Sequence, residues 1–257
     1  MSYSVFIFDI DNTLTSSLDW HFVESGVESL RKLREKGHTV VISSGRTPQA
    51  AVMLRPNGIE YDYFVGANGH MVTDGNDKVL WSTHIDKEVY HKINDYCLKN
   101  NVGFFWKLEE CSYIVVNNDS IDTIFNTYRS KTVNEEPENC HPFRGALVCS
   151  PEDKEKFETV FGKDVDIVDG GAMIYDVNIK GVSKKDGIRE LLRIIGKSKD
   201  ECMAFGDSSN DIEMLEYVGC GIAMGDGRKE CREAADYVTD KTYEDGIKKA
   251  LIYYGIL

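Results

Sequence analysis

An α/β fold with a doubly wound parallel sheet is the fold class predicted for this chain of 257 residues, and three observations predict it. Short uninterrupted apolar runs, such as Val5–Phe8 and Thr39–Ser43, are typical of strands buried on both faces. The segment Phe22–Lys36 between them has the apolar periodicity of a helix. Residues 84–180 break this alternation with strand pairs and helices, which indicates an inserted α+β unit.

The composition disfavours several classes of protein. With 43 acidic and 30 basic residues the chain has a formal net charge of −13, which opposes binding to nucleic acid or to an anionic membrane surface. The seven cysteines are scattered without a Cys-x-x-Cys pair, which indicates reduced thiols in a cytoplasmic protein. Neither a signal peptide nor an apolar run of about 18 residues is found, so no export and no membrane span are predicted. The oligomeric state is left open.

Polar residues or glycine follow each of the first three predicted strands. Asp9 and Asp11 follow the first strand and project to the same side, because side chains alternate along an extended backbone. The second and third strands end in four residues able to approach a ligand: Ser44, Gly45, Arg46 and Asn68. After the second strand, Thr47 and Pro48 predict the start of a helix. Ligand sites of doubly wound sheets lie at the carboxyl ends of strands, so we expect these residues to meet there.

Residues 84–180 are predicted as strand pairs and helices with few candidate catalytic groups. A helix over Lys87–Asn100 precedes two aromatic or β-branched runs, Gly103–Lys107 and Tyr113–Val116. Asp169–Gly171 predicts the turn of a hairpin between two later strands. The other elements are predicted as a helix near 121–129, a loop over 130–142, a strand at 146–149 and a helix opened by Ser150 and Pro151.

The first pattern resumes after residue 180 and adds one more polar strand end. A helix is predicted over 183–195, with Lys184 at its start. The next buried run, Cys202–Phe205, ends in three residues with oxygen-bearing side chains: Asp207, Asn210 and Asp211. A short strand near 221–225 and a terminal helix ending near residue 254 complete the chain.

The carboxylates at these strand ends predict a magnesium site. Two carboxylates about 4 Å apart repel by about 4 kcal/mol at an effective dielectric near 20. A cation, a lysine or a bound proton therefore has to offset this repulsion. Hard oxygen ligands suit Mg²⁺. We expect Asp9 and Asp207 to bind it directly, a backbone carbonyl near Asp11 to contribute, and Asp211 to act through a water molecule.

The same residues supply the parts that phosphoryl transfer requires. Asp9 is the expected nucleophile, forming an aspartyl-phosphate, and Asp11 is the expected general acid and base. Lys184 is expected to neutralise both Asp9 and the phosphoryl group. The residues expected to contact the phosphoryl group or the rest of the substrate are Ser44, Gly45, Arg46, Asn68 and Asn210.

These residues resemble the motifs of a known family, the haloacid-dehalogenase-like phosphatases. Asp9–Thr13 matches their DxDxT opening, Ser44 their second motif, Lys184 their third, and Gly206–Asp211 their fourth. The insertion is similar to the large α/β cap of the Cof-type subgroup. The resemblance implies a Rossmann-like core over residues 1–83 and 181–257, a specificity cap over 84–180, Mg²⁺ dependence, and small phosphorylated metabolites such as sugar phosphates as substrates.

Two further functions fit the same residues. A phosphomutase would return the phosphoryl group from Asp9 to its substrate, and a signalling receiver would store it there without being an enzyme. Hydrolysis of phosphomonoesters is the leading expectation. By the resemblance, an aspartate two residues after the nucleophile implies phosphatase or mutase activity and not dehalogenation, and an acid–base group there opposes a receiver because it shortens the life of the aspartyl-phosphate. The chain departs from the family pattern at Asn12 and Lys185, where glycine is frequent.

Overall fold

The computed structural model describes residues 3–47, 51–128 and 131–257. The chain divides into two compact units, the first formed by Met1–Trp81 with Ser183–Leu257 and the second by Ser82–Val182. The predicted boundaries, at 83/84 and 180/181, each lie two residues from these divisions. That the second unit determines substrate specificity stays a prediction.

The bounds of the regular elements in the described residues are as follows. The strands are β1 (Val5–Phe8), β2 (Thr39–Ser43), β3 (Tyr63–Gly66), β4 (Met71–Asp74), β5 (Val79–Ser82), β6 (Gly103–Lys107), β7 (Ser112–Val116), β8 (Thr132–Val133), β9 (Arg144–Val148), β10 (Val165–Gly171), β11 (Ile174–Ile179), β12 (Cys202–Gly206), β13 (Cys220–Ala223) and β14 (Tyr237–Val238). The α-helices are α1 (Glu24–Glu35), α2 (Lys87–Asn100), α3 (Asp119–Tyr128), α4 (Pro151–Phe161), α5 (Lys184–Ile195), α6 (Ile212–Tyr217), α7 (Lys229–Ala234) and α8 (Gly246–Tyr253).

The first unit is built on a sheet with the strand order β14-β13-β12-β1-β2-β3-β4-β5. The six strands from β14 to β3 are parallel, and β4 runs antiparallel to β3. Alternate residues of β1 enter two different cores: Phe6 and Phe8 pack with residues of α1 and α8, and Val5 and Ile7 pack with residues of α5 and α6. Helices on both faces explain the uninterrupted apolar runs. The predicted doubly wound α/β fold is confirmed.

The second unit is built on a separate sheet with the order β10-β11-β9-β6-β7-β8. Its pairs are antiparallel except for β7 and β8. One face packs against α2 and α4 through a core that contains Phe104 and Trp106. The other face packs against α3 through Phe105 and Phe125. Because both faces bear apolar side chains, the strands of this unit also read as apolar runs.

Two local predictions in the second unit were wrong. The hairpin turn does not lie at Asp169–Gly171, because β10 continues to Gly171 and the turn falls at Ala172 and Met173, with φ angles of 50° and 61°. The Asp169 carboxylate accepts the Gly171 N–H at 2.7 Å within a bulge, and the bulge moves the turn along the chain. The predicted loop over 130–142 contains the short strand β8.

Some predictions lie outside the described residues, namely the helix start at Pro48 and the helix end at Arg129. All seven cysteines are free thiols. None of the helices in the described ranges combines the length and the hydrophobicity that a bilayer-crossing segment requires.

Candidate active site

Three carboxylates meet at the carboxyl edge of the first sheet. Asp9 directly follows β1, Asp207 directly follows the neighbouring strand β12, and Asp211 lies four residues further on. The Asp9 N–H continues the ladder by donating to the Phe205 carbonyl at 3.0 Å. One oxygen from each of the three carboxylates lies within 4.8 Å of the others, and no member is more than 5% exposed. The parallel strands thus bring together the acids that we predicted as neighbours.

The buried ammonium of Lys184 joins two of these carboxylates. Its Nζ donates to Asp9 Oδ1 and to Asp211 Oδ1, at 2.6 Å each, and the residue is 0% exposed. Lys184 is the first residue of α5, whose start is fixed by the Asp186 carboxylate, which accepts the Ser183 N–H at 2.9 Å. A Cβ added at Gly69 would lie 2.0 Å from the Ser183 carbonyl oxygen. Glycine at this position therefore lets the loop after β3 lie against the helix start.

The site contains more negative than positive charge. Burial raises the pKa of Asp207 to about 9 and that of Asp9 to about 7, and the neighbouring carboxylates contribute, while Lys184 opposes both shifts. Burial disfavours the Lys184 ammonium, but Asp211 and Asp9 outweigh it and raise its pKa. One ammonium stands beside three carboxylates, which leaves a charge of −2 when all are ionised. The site therefore contains too little positive charge to neutralise its carboxylates.

Asp211 also holds the loop that carries Asp207. Its Oδ2 accepts the backbone N–H groups of Asp207 and Ser208, both at 3.0 Å. A Cβ at Gly206 would lie 2.6 Å from Asp211 Cγ, so glycine is needed for this approach. With Oδ1 bound to Lys184, both oxygens of Asp211 already have protein partners.

Asp11 and Arg46 form a second, separate group. Arg46 donates to Asp11 through Nε, at 3.0 Å to Oδ2, and through a terminal nitrogen, at 2.8 Å to Oδ1. The Asp11 carboxylate is not part of the group of three carboxylates. Gly45, directly before Arg46, is half-buried. The predicted acid–base group and a predicted substrate contact are therefore bound to each other in this structure.

The remaining predicted residues connect the loops after β2, β3 and β12. The Ser44 carbonyl accepts the Asn68 N–H at 3.0 Å, and the Arg46 carbonyl accepts the Ala67 N–H at 2.9 Å. Asn210 Nδ2 donates to Asn68 Oδ1 at 3.1 Å. Asn68 adopts a left-handed conformation with φ of 56°, which asparagine tolerates better than most residues. These contacts make one continuous rim at the edge of the sheet.

Sequence reasoning missed three residues next to these groups. Thr13 Oγ1 donates to Asp207 Oδ1 at 3.4 Å, although the threonine of the DxDxT motif was available as a signal. Thr242 and Asp226 contact the loop after β1. No sequence pattern marked these two, because they lie more than 200 positions from that loop.

Comparison with known proteins places the chain in a family. A model described as haloacid dehalogenase-like hydrolase matches residues 6–251. A phosphoglycolate phosphatase of Methanoculleus marisnigri is 28% identical over 96% of this chain and 94% of its own length. The 5-amino-6-(5-phospho-D-ribitylamino)uracil phosphatase YcsE of Bacillus subtilis is 26% identical, covering 96% and 93%. The solved structure of the HAD subclass IIB sugar phosphatase BT4131 has a TM-score of 0.87 at 30% identity, covering 98% and 99%. These matches, together with the carboxylate site at the sheet edge, establish that the chain belongs to the haloacid dehalogenase-like hydrolase family.

Proposed function

We propose that this phosphatase hydrolyses small phosphomonoesters, of the class of sugar phosphates, through transfer of the phosphoryl group to Asp9, with Mg²⁺ as cofactor. One observation carries the proposal: a buried lysine binds Asp9 and Asp211 at 2.6 Å each, beside Asp207. Such a group holds a carboxylate nucleophile in place and can neutralise an incoming phosphoryl group. The family membership supports the same chemistry.

The donor set fits a hard divalent cation. Three buried carboxylates share one ammonium, and burial raises the pKa values of Asp9 and Asp207, so a bound cation would relieve a shortage of positive charge. Asp9 and Asp207 would hold Mg²⁺ through carboxylate oxygens, with a backbone carbonyl near Asp11 as a further ligand and Asp211 acting through a water molecule. When bound, the ion supplies charge neutralisation for the phosphoryl oxygens.

The first step uses the Asp9 carboxylate as nucleophile. Lys184 donates to Oδ1 of Asp9, so Oδ2 is the oxygen that attacks phosphorus. A bond forms between this oxygen and phosphorus while the bond from phosphorus to the ester oxygen breaks. Lys184 stays close to the transferred group and stabilises its negative charge. The products of this step are an alcohol and an aspartyl-phosphate.

Asp11 moves the protons in both steps. It gives a proton to the departing ester oxygen in the first step and takes one from the attacking water in the second, which frees inorganic phosphate and restores Asp9. Both Asp11 oxygens accept hydrogen bonds from Arg46 in this structure. Each carboxylate oxygen has a second lone pair, so Asp11 can carry a proton to the substrate while Arg46 holds its orientation.

The substrate class rests on the relatives and on the predicted contacts. The solved relative at 30% identity is named a sugar phosphatase. The proposed contacts to the phosphoryl group and its substituent are Ser44, Gly45, Arg46, Asn68 and Asn210, in the loops after β2, β3 and β12. The second unit is proposed to select the substituent. A small phosphorylated metabolite of the cytoplasm is the expected partner, since the net charge of −13 opposes nucleic acid and anionic membranes.

A phosphate-release screen tests the proposal. Sugar phosphates, nucleotides and cofactor phosphates are offered to the pure protein with Mg²⁺ and with excess EDTA. We expect Mg²⁺-dependent release from at least one sugar phosphate, and a loss of at least about a thousandfold in kcat for Asp9→Asn. Asp95→Asn, at an exposed position of α2, is the matched control and should keep full activity.

Four outcomes would contradict the proposal. Release that persists in EDTA would remove the metal from the mechanism, and full activity of Asp9→Asn would remove the nucleophile. Rapid exchange between isomers of a hexose phosphate with slow hydrolysis would identify a phosphomutase. A long-lived phosphoprotein without turnover would identify a receiver.

A further inference from the structure

We propose that Asp226 and Thr242 are positioning residues that fix the turn carrying Asp11, and so orient the acid–base group; this inference rests on the proposed function. Both residues lie in the first unit, in segments that follow β13 and β14. Neither belongs to the carboxylate group or to the rim of the site.

Thr242 binds the turn directly. Its Oγ1 donates to the Asn12 carbonyl at 2.6 Å, across 230 positions of sequence. Thr242 is only 2% exposed, so its hydroxyl is shielded from water that would compete for the bond. The same hydroxyl lies 3.2 Å from Asp226 Oδ1. A hydroxyl has one proton to donate, and the shorter contact assigns that proton to the Asn12 carbonyl.

Asp226 holds Thr242 and a second point of the same loop. Its Oδ1 accepts the Thr242 backbone N–H at 3.0 Å, and its Oδ2 accepts the Ser17 hydroxyl at 2.7 Å. The carboxylate therefore links the segment around Thr242 to the chain on the far side of the motif that begins at Asp9. The loop after β1 is held at Asn12 and at Ser17 by one connected pair of side chains.

The position of Asn12 explains why this support matters. Asn12 has a left-handed backbone conformation with φ of 60°, which asparagine tolerates better than most residues, and the bond from Thr242 fixes the direction of its carbonyl. It lies between Asp11 and Thr13, and Thr13 Oγ1 donates to Asp207 Oδ1. A displacement of Asn12 would therefore act on both of its neighbours, the acid–base group Asp11 and the residue that contacts a predicted metal ligand.

The same segment also touches the other acid-bearing strand end. The Arg228 N–H donates to the Asp207 carbonyl at 2.7 Å, and a Cβ at Gly227 would lie 2.7 Å from that carbonyl oxygen. Residues 226–228 thus contact the loops of Asp11 and Asp207 together.

The proposal predicts a dependence on the leaving group. An alkyl phosphate needs a proton on its departing oxygen, whereas an aryl phosphate with an acidic phenol does not. Loss of a support for Asp11 should therefore harm alkyl substrates selectively. A variant that is merely destabilised would lose activity equally on both.

The test compares kcat/KM for the preferred sugar phosphate and for p-nitrophenyl phosphate, with saturating Mg²⁺. Thr242→Val keeps the shape of the side chain but loses the donor, and we expect at least about a tenfold loss on the sugar phosphate and less than about threefold on the aryl ester. Thr242→Ser keeps the donor and should restore the activity. Thr239→Val is the matched control, since Thr239 is also buried and donates to the Gly246 carbonyl at 2.7 Å.

The outcomes separate this proposal from the one on which it rests. Asp11→Asn serves as reference and should show the same selectivity with a larger loss. Equal losses on both substrates for Thr242→Val, or a loss matched by Thr239→Val, would overturn the positioning role while leaving the phosphatase intact. No Mg²⁺-dependent turnover by the wild-type protein would overturn the proposed function itself.

Discussion

The two units bury charged and polar side chains in different ways. In the first, one ammonium, that of Lys184, lies beside three buried carboxylates at the ends of strands. In the second, Arg144 pairs with Asp176 on neighbouring strands, and Trp106 Nε1 donates to Asn94 Oδ1 at 2.7 Å. The first arrangement is unbalanced in charge, while each of these two contacts in the second unit joins a group to a complementary one.

This difference separates a reactive site from a supporting contact. Buried ionised groups cost several kcal/mol each unless they are paired, so an excess of buried carboxylates persists where a cation or a substrate compensates it. Strand ends in a parallel sheet allow such an excess, because their side chains face a crevice instead of a packed neighbour. Groups inside a packed sheet have no such freedom.

The largest effect is expected for Lys184→Met. Removal of the ammonium leaves the carboxylates unpaired, which should destabilise the metal-free protein by about 3–5 kcal/mol and lower kcat at least about a thousandfold. The instability should be greater at pH 8 than at pH 6, because unpaired buried carboxylates take up protons as the pH falls. Thermal unfolding and phosphate release measure both effects. Lys92→Met, at an exposed position of α2, is the control. Equal losses of stability and of kcat in the two variants would contradict the proposed difference between the unbalanced site and other charged groups.

A smaller effect, limited to stability, is expected for Trp106→Phe. Phenylalanine retains the apolar packing in the core of the second unit but leaves the buried Asn94 oxygen without its donor, which should cost about 1–3 kcal/mol. Turnover of p-nitrophenyl phosphate should stay within about threefold of wild type. Chemical denaturation and kinetics on one preparation check this. A collapse of turnover at unchanged stability would assign the core of the second unit a part in the chemistry.

The affinity for Mg²⁺ should depend on pH. The pKa values of Asp207, about 9, and Asp9, about 7, are raised in the metal-free protein, so these carboxylates hold protons that a metal must displace. Affinity should therefore rise with pH, by up to about tenfold per unit for each proton released, and level off above about pH 9. Calorimetric titrations in buffers of different ionisation enthalpy measure the released protons. An affinity for Mg²⁺ that does not change between pH 6 and pH 9 would contradict the raised pKa values of Asp207 and Asp9.

The smallest effect is expected for Lys185→Ala. Lys185 pairs with Glu213 on α6 where both side chains are substantially exposed, so the pair should contribute less than about 1 kcal/mol. Glu213 also accepts the Ser183 hydroxyl at 3.0 Å and so keeps one contact to the start of α5. Activity should stay within about twofold of wild type. A large loss would show that the neighbour of Lys184 acts in the site as well.

Much of the site could be predicted from the residues that follow strands. Asp9 and Asp207 meet because β1 and β12 are parallel neighbours, and Lys184 reaches them from a helix start that its own capping residues mark. The pairing of Asp11 with Arg46 was not predicted, since a bidentate contact depends on the exact reach of one side chain. The hairpin turn at Ala172 and Met173 was also missed, because the two glycines before it belong to a bulge in β10 and not to the turn.

Local steric and hydrogen-bonding preferences specify where several helices of this chain begin and end. Asp86 caps α2 by accepting the Glu88 and Val89 N–H groups, and Gly196 ends α5 in a left-handed conformation; both follow from residues within a few positions of each other. Other features arise only from packing. Two such features are the charge imbalance around Lys184 and the support that Thr242 gives to Asn12 across 230 positions. Both depend on how loops that are distant in sequence come together at the sheet edge, and no short-range sequence pattern specifies these contacts.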